Sequence, residues 1–269
     1  MPELAEVEYF RKLWDVGVGA RITRIALHAG KRPLRGLDAG EIEDALTGTT
    51  LLDSEARAKQ MLFRFGRRSK ATNWLGVHLG MTGRLRVEPK TFAPQKHDHL
   101  VLWQSSRALV FSDPRMFGRI RFHAGVEAPE WWTTLPPAVT SNEFTLERLR
   151  EILARRRAST VKGVLLMQQF FPGVGNWMAD EILWRSRLHP RTLGGDLKGK
   201  ESKILWRASR EVCRIALETV GVDFSDPPEG WFFHVRWKGD GVCPRCDREI
   251  ETATVAGRTT RWCPRCQRA

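Results

Sequence analysis

Four of the five cysteines of this chain lie in its last 27 residues, as two Cys-x-x-Cys pairs. Cys243 and Cys246 form one pair, and Cys263 and Cys266 form the other after a spacer of sixteen residues. Each pair makes a tight turn with both sulfurs on one side, so two pairs at the ends of a β-hairpin offer four thiolates at tetrahedral positions. The pattern predicts one structural Zn²⁺ without an open coordination position. Redox activity is the alternative, and two matched pairs across a hairpin-length spacer disfavour it.

The remaining composition indicates a globular chain that stays inside the cell. Hydrophobic residues make up 42% of the 269 residues, which is ordinary for a protein with packed cores. No apolar run approaches the roughly 20 residues of a membrane span, and the N-terminal MPELAEVEYF has three glutamates where a signal peptide has positive charge. We therefore expect a cytoplasmic protein with no membrane partner. We expect a structural role for the fifth cysteine, Cys213, which lies among apolar residues at helical spacing.

The charge of the chain favours a polyanionic partner. Lys and Arg number 44 against 31 Asp and Glu, which gives a formal charge of +13 at pH 7. Such a surplus attracts nucleic acids, but it does not by itself identify one. A protein that is merely basic remains the alternative until motifs decide.

The hydrophobic periodicity predicts an α+β protein. Residues 3–16 have apolar residues at helical intervals, and Gly17 and Gly19 stop this helix. Short apolar runs interrupted by Gly, Asp and Pro follow, and they predict an N-terminal β-sandwich with flanking helices over residues 1–125. The runs are RITRIALH, KQMLFRF, NWLGVHLG, RLRVE, HLVLWQ, ALVFSD and GRIRFH.

The second half of the chain is predicted to be helical. Residues 126–144 are rich in proline and aperiodic, which is typical of a linker. Thr145 and Ser159 are candidate N-caps for two of the helices that fill a domain over residues 145–225. A zinc-finger hairpin is predicted over residues 230–269.

A glycine turn between two helices is a candidate phosphate site. In the segment QQFFPGVGNWMADEI, Gly173 and Gly175 allow backbone amides to approach an anion, and the helix that opens near Asn176 favours negative charge there. At the tip of the cysteine hairpin, Arg258 is placed to reach a phosphate or a groove. An ordinary interhelical turn and a solvated arginine beside a turn are the alternatives.

Together these segments resemble the formamidopyrimidine-DNA glycosylase and endonuclease VIII superfamily. The resemblance runs from residue 2 to residue 267 in the family's order. It rests on Met1-Pro2-Glu3-Leu4 with Glu6, His78-Leu79-Gly80-Met81-Thr82-Gly83, His97-Asp98-His99, Asp113-Pro114-Arg115-Met116-Phe117-Gly118, Pro172-Gly173-Val174-Gly175-Asn176 with Ala179-Asp180-Glu181, and the closing zinc finger. It implies a bacterial, nucleoid-associated, monomeric base-excision enzyme with a helix-two-turn-helix domain that acts on damaged double-stranded DNA.

The N-terminus makes chemical sense for such an enzyme. Once Met1 is removed, Pro2 is a secondary amine whose ordinary α-amino pKa, roughly 8, leaves a nucleophilic fraction at neutral pH. Attack on a deoxyribose C1′ expels the base, and the resulting iminium ion promotes β-elimination and then δ-elimination. The resemblance makes Glu3 the proton-transfer group. A helix-starting proline followed by an acid in the first turn is the structural alternative.

The resemblance also assigns supporting residues. Lys59 matches a lysine that reaches the lesion and its phosphate, with a surface lysine at the start of a strand as the alternative. Glu6 lies three residues from Glu3 on one helical face, where it supports the site or satisfies the helix dipole.

The family flips the damaged nucleotide and fills the vacancy with three side chains from two loops. These match Met81, Arg115 and Phe117, although Met81 and Phe117 would otherwise be expected in a core. Asn176 and Arg258 match residues that hold phosphates around the lesion.

The chain departs from the family pattern at three places. Ala5 stands where a proline is usual, and Gln60 changes the surroundings of Lys59. The stretch over residues 219–231 is short and lacks the usual run of the loop that closes over a flipped purine. We therefore expect reduced discrimination for 8-oxoguanine relative to ring-opened purines or abasic sites.

Two other functions stay open on the sequence. One is an endonuclease VIII-like glycosylase for oxidised pyrimidines, although Leu4 stands where that branch tends to have Gly. The other is a non-catalytic protein that binds damaged DNA, against which the joint presence of Pro2, Glu3 and Lys59 speaks.

Overall fold

The protein is described from a computed structural model, which covers residues 1–68, 70–237 and 241–268. The chain divides into two compact units. The first contains Met1–Pro2 and Glu6–Leu135, and the second contains Glu3–Ala5 and Pro136–Ala269. The domain bounds inferred from the sequence stay a prediction.

The first unit is built on two four-stranded antiparallel sheets, with strand orders β1-β6-β7-β5 and β2-β3-β4-β8. Part of β3 shows the alternation of a strand with one exposed face, since Phe63 and Phe65 are buried while Arg64 between them is exposed. Strand β6 is buried along its whole length. The strands are β1 (Arg24–Leu27), β2 (Thr50–Arg57), β3 (Gln60–Arg67), β4 (Lys70–His78), β5 (Arg84–Pro89), β6 (Asp98–Trp103), β7 (Arg107–Ser112) and β8 (Arg119–Ala124). The predicted sandwich is confirmed.

Apolar side chains from both sheets meet in one buried core. This core includes Phe63, Phe65 and Leu75 from one sheet and Leu100, Leu109 and Phe111 from the other. Each fully buried side chain of this size contributes about 1.5–3 kcal/mol of transfer free energy, so this core stabilises the sandwich that carries the loops at its ends.

Three helices accompany the sheets. They are α1 (Leu4–Leu13), α2 (Ala39–Leu46) and α3 (Glu130–Thr133), with 3₁₀ turns at Asp15–Gly17 and Arg32–Leu34. Helix α2 was not predicted from the sequence, although Asp38 caps it by accepting hydrogen bonds from the amides of Gly40 and Glu41. Strand β2 was not predicted either. Both elements bury few apolar residues, so their periodicity is weak.

The second unit is mainly helical. Its helices are α4 (Leu146–Arg155), α5 (Val161–Leu165), α6 (Asn176–Ser186), α7 (Gly199–Glu218) and α8 (Val220–Asp223), with 3₁₀ turns at Gly194–Asp196 and Phe232–His234. Thr145 caps α4 as predicted, since its hydroxyl accepts the amide of Arg148. The prediction of Ser159 as the next cap is wrong, because Thr160 accepts the amide of Gly163 instead.

A hairpin closes the second unit. Strands β9 (Glu251–Val255) and β10 (Arg258–Trp262) pair antiparallel. Ala256 and Gly257, with φ of 49° and 72°, form a two-residue turn of the kind that matches strand twist. Residues 238–240 and 269 of the predicted zinc-finger segment lie outside the described residues. Among the helices of the described part, none has the length and apolar character to cross a bilayer.

Candidate active site and zinc centre

The N-terminus of α6 is occupied by a carboxylate of the chain itself. Glu3, only 3% exposed, accepts hydrogen bonds from the amides of Gly175 (2.9 Å), Trp177 (2.9 Å) and Met178 (3.1 Å). The N-cap residue of α6 is Gly175, which has no side chain to accept hydrogen bonds from these amides. Three N–H donors at the positive end of a helix stabilise the charged form of a carboxylate. Both carboxylate oxygens of the buried Glu3 are therefore held by backbone amides where α6 begins.

Both glycines of the turn before α6 make room for the first residues of the chain. A Cβ on Gly175 would lie 2.2 Å from Cδ of Glu3, and one on Gly173, whose φ is +89°, would lie 2.8 Å from Cβ of Leu4. The amide of Leu4 also donates to the carbonyl of Gly173 at 3.0 Å. The anion that this turn receives is thus Glu3, where the sequence pattern alone had indicated a phosphate.

The residues around Glu3 in sequence are not bound at the N-terminus of α6 in the way that Glu3 is. Helix α1 begins at Leu4, so Glu3 precedes it and does not share a helical face with Glu6, which lies in the first turn. This corrects the argument from helical spacing. Pro2 is half-buried, and Met1 is 51% exposed.

Asn176 joins α6 to the zinc-finger hairpin. Its Nδ2 donates to the carbonyl of Thr259 at 2.8 Å, and its buried Oδ1 has no hydrogen-bond partner within the described residues. Arg258, next to Thr259 in β10, is exposed. The second unit therefore brings Glu3, Asn176 and Arg258 to the region where α6 begins.

A buried ionic network that the sequence analysis missed supports this region. Lys162 and Asp180 are fully buried and ion-paired, and Arg236 donates to Asp180 at 2.6 Å. Lys162 also donates to the carbonyl of Asn176 at 3.0 Å. Burial lowers the pKa of Lys162, and attraction to Asp180 partly offsets that effect. No local signal reveals this network, because Lys162 stands within the apolar segment that forms α5.

In the first unit, Lys59 lies in the tight turn between β2 and β3. It follows Ala58, whose φ is 58°, and it is 7% exposed, so it is not the surface lysine of the alternative interpretation. Burial lowers the pKa of His78, and the positive charge of Lys59 lowers it further. Nδ1 of His78 accepts the amide of Gly80 at 3.1 Å. Gln60, which follows Lys59, pairs with His78 across β3 and β4, so the Lys59 turn lies beside the strand end that leads to Met81.

Two loops at one end of the sandwich carry exposed apolar side chains. Met81 is 39% exposed and Phe117 is 42% exposed, so neither is the core residue that the alternative interpretation expected. The guanidinium groups of Arg32 and Arg115 each lie 5.1 Å from the centre of the Phe117 ring. Met81, Arg115 and Phe117, the wedge residues predicted to fill the place of a flipped nucleotide, lie within this unit on the two loops that follow β4 and β7.

The four paired cysteines converge in the second unit. The sulfurs of Cys246 and Cys263 are 3.5 Å apart, those of Cys243 and Cys266 4.0 Å, and all four lie within 4.8 Å of one another. Sulfurs about 2.3 Å from a central zinc would be about 3.8 Å apart in a regular tetrahedron. The residues present therefore fit one zinc ion with a closed ligand set.

The surroundings of this cluster act differently on its individual thiols. Nε1 of Trp184 donates to Sγ of Cys243 at 3.3 Å, and the backbone at Arg248 lowers the pKa of Cys246 to about 7. Burial raises the pKa of Cys263 to about 12, so that thiol needs a metal to ionise at neutral pH. Burial also raises the pKa of Cys213 within α7, in keeping with a structural thiol.

Comparison with known families accounts for most of the chain in three segments. The formamidopyrimidine-DNA glycosylase N-terminal domain matches residues 1–120, and the H2TH domain of the same glycosylase matches residues 135–226. A zinc finger found in FPG and IleRS matches residues 241–269. The predicted structural zinc and helix-two-turn-helix domain are thereby confirmed.

Individual relatives cover the full length. The formamidopyrimidine-DNA glycosylase of Xanthomonas campestris pv. campestris is 37% identical over 279 residues, with 100% of both chains covered. Lactococcus lactis Fpg (MutM) in complex with N7-benzyl-Fapy-dG-containing DNA has a TM-score of 0.89 and 28% identity, again with 100% of both chains covered. The same enzyme with DNA containing an oxidised pyrimidine gives a TM-score of 0.88 at 28% identity and the same coverage. From its motifs, its fold and these matches, the chain belongs to the formamidopyrimidine-DNA glycosylase family of DNA-repair enzymes.

Proposed function

We propose that the chain is a bifunctional DNA glycosylase and abasic-site lyase, which excises oxidised or ring-opened purines through the amine of Pro2. The observation that carries this proposal is the carboxylate of Glu3, the adjoining residue, buried and held by three backbone amides. A protein that only binds DNA has no need of a nucleophilic terminus next to a fixed acid. Met1 is half exposed and thus accessible to removal.

The first chemical step is displacement at C1′ of the damaged nucleotide. The lone pair of the Pro2 nitrogen forms a bond to C1′, and the glycosidic bond breaks with its electron pair leaving on the base, which takes up a proton. The amine then loses its proton. The bond between C1′ and the ring oxygen O4′ breaks and O4′ takes up a proton, which gives an iminium ion at C1′ and a hydroxyl on C4′. A secondary amine suits this step because a useful fraction is unprotonated at neutral pH.

The iminium ion then withdraws electrons from the sugar. Loss of a proton from C2′ gives an enamine, and the bond between C3′ and its phosphate oxygen breaks, which nicks the strand. A second elimination releases the 5′ phosphate, and water regenerates the free amine. Glu3 is the group that we assign to proton transfer, because its carboxylate is fixed and can accept a proton without a change of position.

Other residues bind and orient the DNA in this proposal. Lys59, buried in its turn, reaches the lesion or its phosphate, and Glu6 supports the terminus. Met81, Arg115 and Phe117 fill the space of the flipped nucleotide, and their exposed side chains are suited to this role.

Asn176 and Arg258 hold phosphates of the DNA backbone. They lie on two elements, α6 and β10, which a hydrogen bond joins. We further propose that the protein acts as a monomer on double-stranded damaged DNA.

A trapping assay with a panel of lesions tests this function. We expect borohydride to give a covalent protein–DNA complex with duplexes that contain a ring-opened purine or an abasic site, and slower trapping with 8-oxoguanine because the segment over residues 219–231 is short. Since Fpg of Lactococcus lactis is known bound to DNA with an oxidised pyrimidine, such a duplex belongs in the panel. Trapping only with oxidised pyrimidines would favour the endonuclease VIII-like alternative. Binding without any trapping would favour the non-catalytic one.

Loss of the metal is expected to remove DNA binding. Cys263→Ser leaves three sulfurs for the zinc, so the hairpin that carries Arg258 and is hydrogen-bonded to Asn176 loses its support. Metal analysis should give about one zinc per wild-type chain and much less for the variant. Fluorescence anisotropy should show at least about a tenfold weaker affinity, since the phosphate contacts dominate binding.

Cys213→Ala is the matched control, because Cys213 is buried in α7 away from the four ligands. It should retain both zinc and DNA affinity. A metal-free Cys263→Ser protein with full affinity for DNA would show that the finger does not position the phosphate contacts.

A further inference from the structure

We propose that Asp113 is a positioning residue which joins the two wedge loops, residues 79–83 and 113–118, so that their side chains enter the DNA as one unit. This inference rests on the proposed function, because it concerns how the wedge residues are held. Asp113 is fully buried, so it does not itself touch DNA.

The carboxylate of Asp113 bonds to both loops at once. Oδ1 accepts the hydroxyl of Thr82 at 2.7 Å, next to Met81 in the first loop. Within the second loop, Oδ1 accepts the amide of Arg115 at 3.2 Å and Oδ2 accepts the amide of Gly118 at 2.6 Å. One side chain thus fixes both ends of the segment that presents Arg115 and Phe117.

The backbone of Asp113 extends the same arrangement. Its amide donates to the carbonyl of His97 at 3.0 Å, and its carbonyl bonds to Nε2 of the buried His99 at 2.9 Å. The amide of Met116 donates to the same carbonyl at 3.2 Å. Asp113 is therefore anchored to β6 and the residue before it, and it transmits that anchorage to both loops.

The two loops pack backbone against backbone. A Cβ on Gly80, whose φ is +65°, would lie 2.3 Å from the carbonyl carbon of Phe117 and 2.4 Å from the amide nitrogen of Gly118. Met116 has a φ of 55°, a conformation that is unfavourable for a residue other than glycine and persists only where surrounding contacts enforce it. The bond from the Met116 amide to the carbonyl of Asp113 and the packing of Phe117 and Gly118 against Gly80 restrain this conformation.

Burial of a carboxylate is costly, which argues that its chemistry is needed here. Within the described residues, a hydroxyl and two backbone amides donate to the Asp113 carboxylate and offset this cost. An asparagine would place its NH₂ group against a backbone N–H in either orientation, facing Gly118 in one and Arg115 in the other. Only an acceptor at both oxygen positions serves Thr82, Arg115 and Gly118 together.

Asp113→Asn tests the inference by comparing paired and unpaired lesions. In single-turnover reactions, the rate on a lesion within a fully paired duplex should fall about 10- to 100-fold, as expected for misplacement of positioned groups. The rate on the same lesion inside an unpaired bubble should fall less than about threefold, because that base is already out of the stack. Equal losses on both substrates, or no loss on either, would overturn the proposal.

Thr82 provides a second test that does not depend on the folding of Asp113→Asn. Thr82→Val removes the hydroxyl that Asp113 accepts, and Thr82→Ser keeps it. The valine variant should show the same selective loss on paired duplexes, and the serine variant should restore the wild-type ratio. A serine variant as impaired as the valine variant would contradict a hydrogen-bonding role.

Asp38→Ala is the control for general destabilisation. It removes a carboxylate that accepts two backbone amides on α2, in the same unit and outside both loops. Its paired-to-bubble ratio should equal that of wild type.

A binding readout separates this inference from the proposed function. The fluorescence of 2-aminopurine placed opposite a non-cleavable abasic analogue reports unstacking without any chemistry. Wild type should raise it on binding, and Asp113→Asn should raise it less at saturating protein. If the wild type cleaves nothing but the variant still differs in this signal, the function fails and the positioning role stands. If the signal is the same in both proteins, the positioning role is wrong.

Discussion

Replacement of Pro2 by glycine, or extension of the chain before Pro2, is expected to reduce borohydride trapping below about one hundredth of the wild-type rate. An extension converts the amine into an amide, which has no nucleophilic lone pair. Glycine retains an α-amine but loses the secondary character that gives an iminium ion directly. Trapping on abasic DNA, followed by gel shift and by mass spectrometry of the adduct, measures this outcome.

Binding should survive these changes. The phosphate contacts proposed for Asn176 and Arg258 lie on α6 and β10, and neither element includes Pro2. Anisotropy with a non-cleavable abasic analogue should therefore give affinities within about threefold of wild type, since the phosphate term dominates affinity. Trapping that persists at full rate with a blocked terminus would move the nucleophile elsewhere, with Lys59 as the next candidate.

Glu3→Gln is expected to slow both base excision and strand cleavage by about 10²- to 10⁴-fold, the usual contribution of a general acid or base. The glutamine keeps the size of the side chain, but it cannot carry the proton and has one acceptor oxygen where two are used. Its NH₂ group would face a backbone N–H of α6, which costs about 1–3 kcal/mol of unfolding free energy. Single-turnover rates and thermal unfolding measure the two effects separately.

Glu8→Gln is a matched control, because Glu8 is an acid on α1 that pairs with Arg11 and has no part in the proposed chemistry. It should leave the rates within about twofold of wild type, as is usual for changes outside such features. Gly175→Ala should slow the reaction as Glu3→Gln does, since its Cβ would displace the Glu3 carboxylate without altering the charge of that group. Normal rates in both Glu3→Gln and Gly175→Ala would make Glu3 a purely structural cap.

The features that the sequence predicts well are those with local causes. The spacing of the cysteines alone places four sulfurs around one metal, and the Thr145 cap lies three residues from the amide it accepts. Most of the sandwich strands follow from short apolar runs bounded by Gly, Asp and Pro. The hydrophobic pattern does not predict β2 and α2, because each places few apolar residues in the core and so lacks a clear period.

The features that the sequence cannot predict depend on contacts between distant residues. Nothing near Lys162 in the chain indicates that Asp180 and Arg236 will neutralise it in the interior. Similarly, the glycines before α6 are typical of a phosphate-binding turn. That they accommodate Glu3 follows only from a contact that local spacing does not encode.

The contact between Glu3 and α6 also imposes an order of events during synthesis. The carboxylate meets its first partner 172 residues further along the chain. A ribosome that adds roughly 5–20 residues per second needs roughly 9–35 s to make that stretch. Throughout this interval Glu3 has no α6 on which to dock, so an aminopeptidase can reach Met1 before Glu3 is buried. Glu3 therefore reaches its native position only after the chain has been made as far as α6.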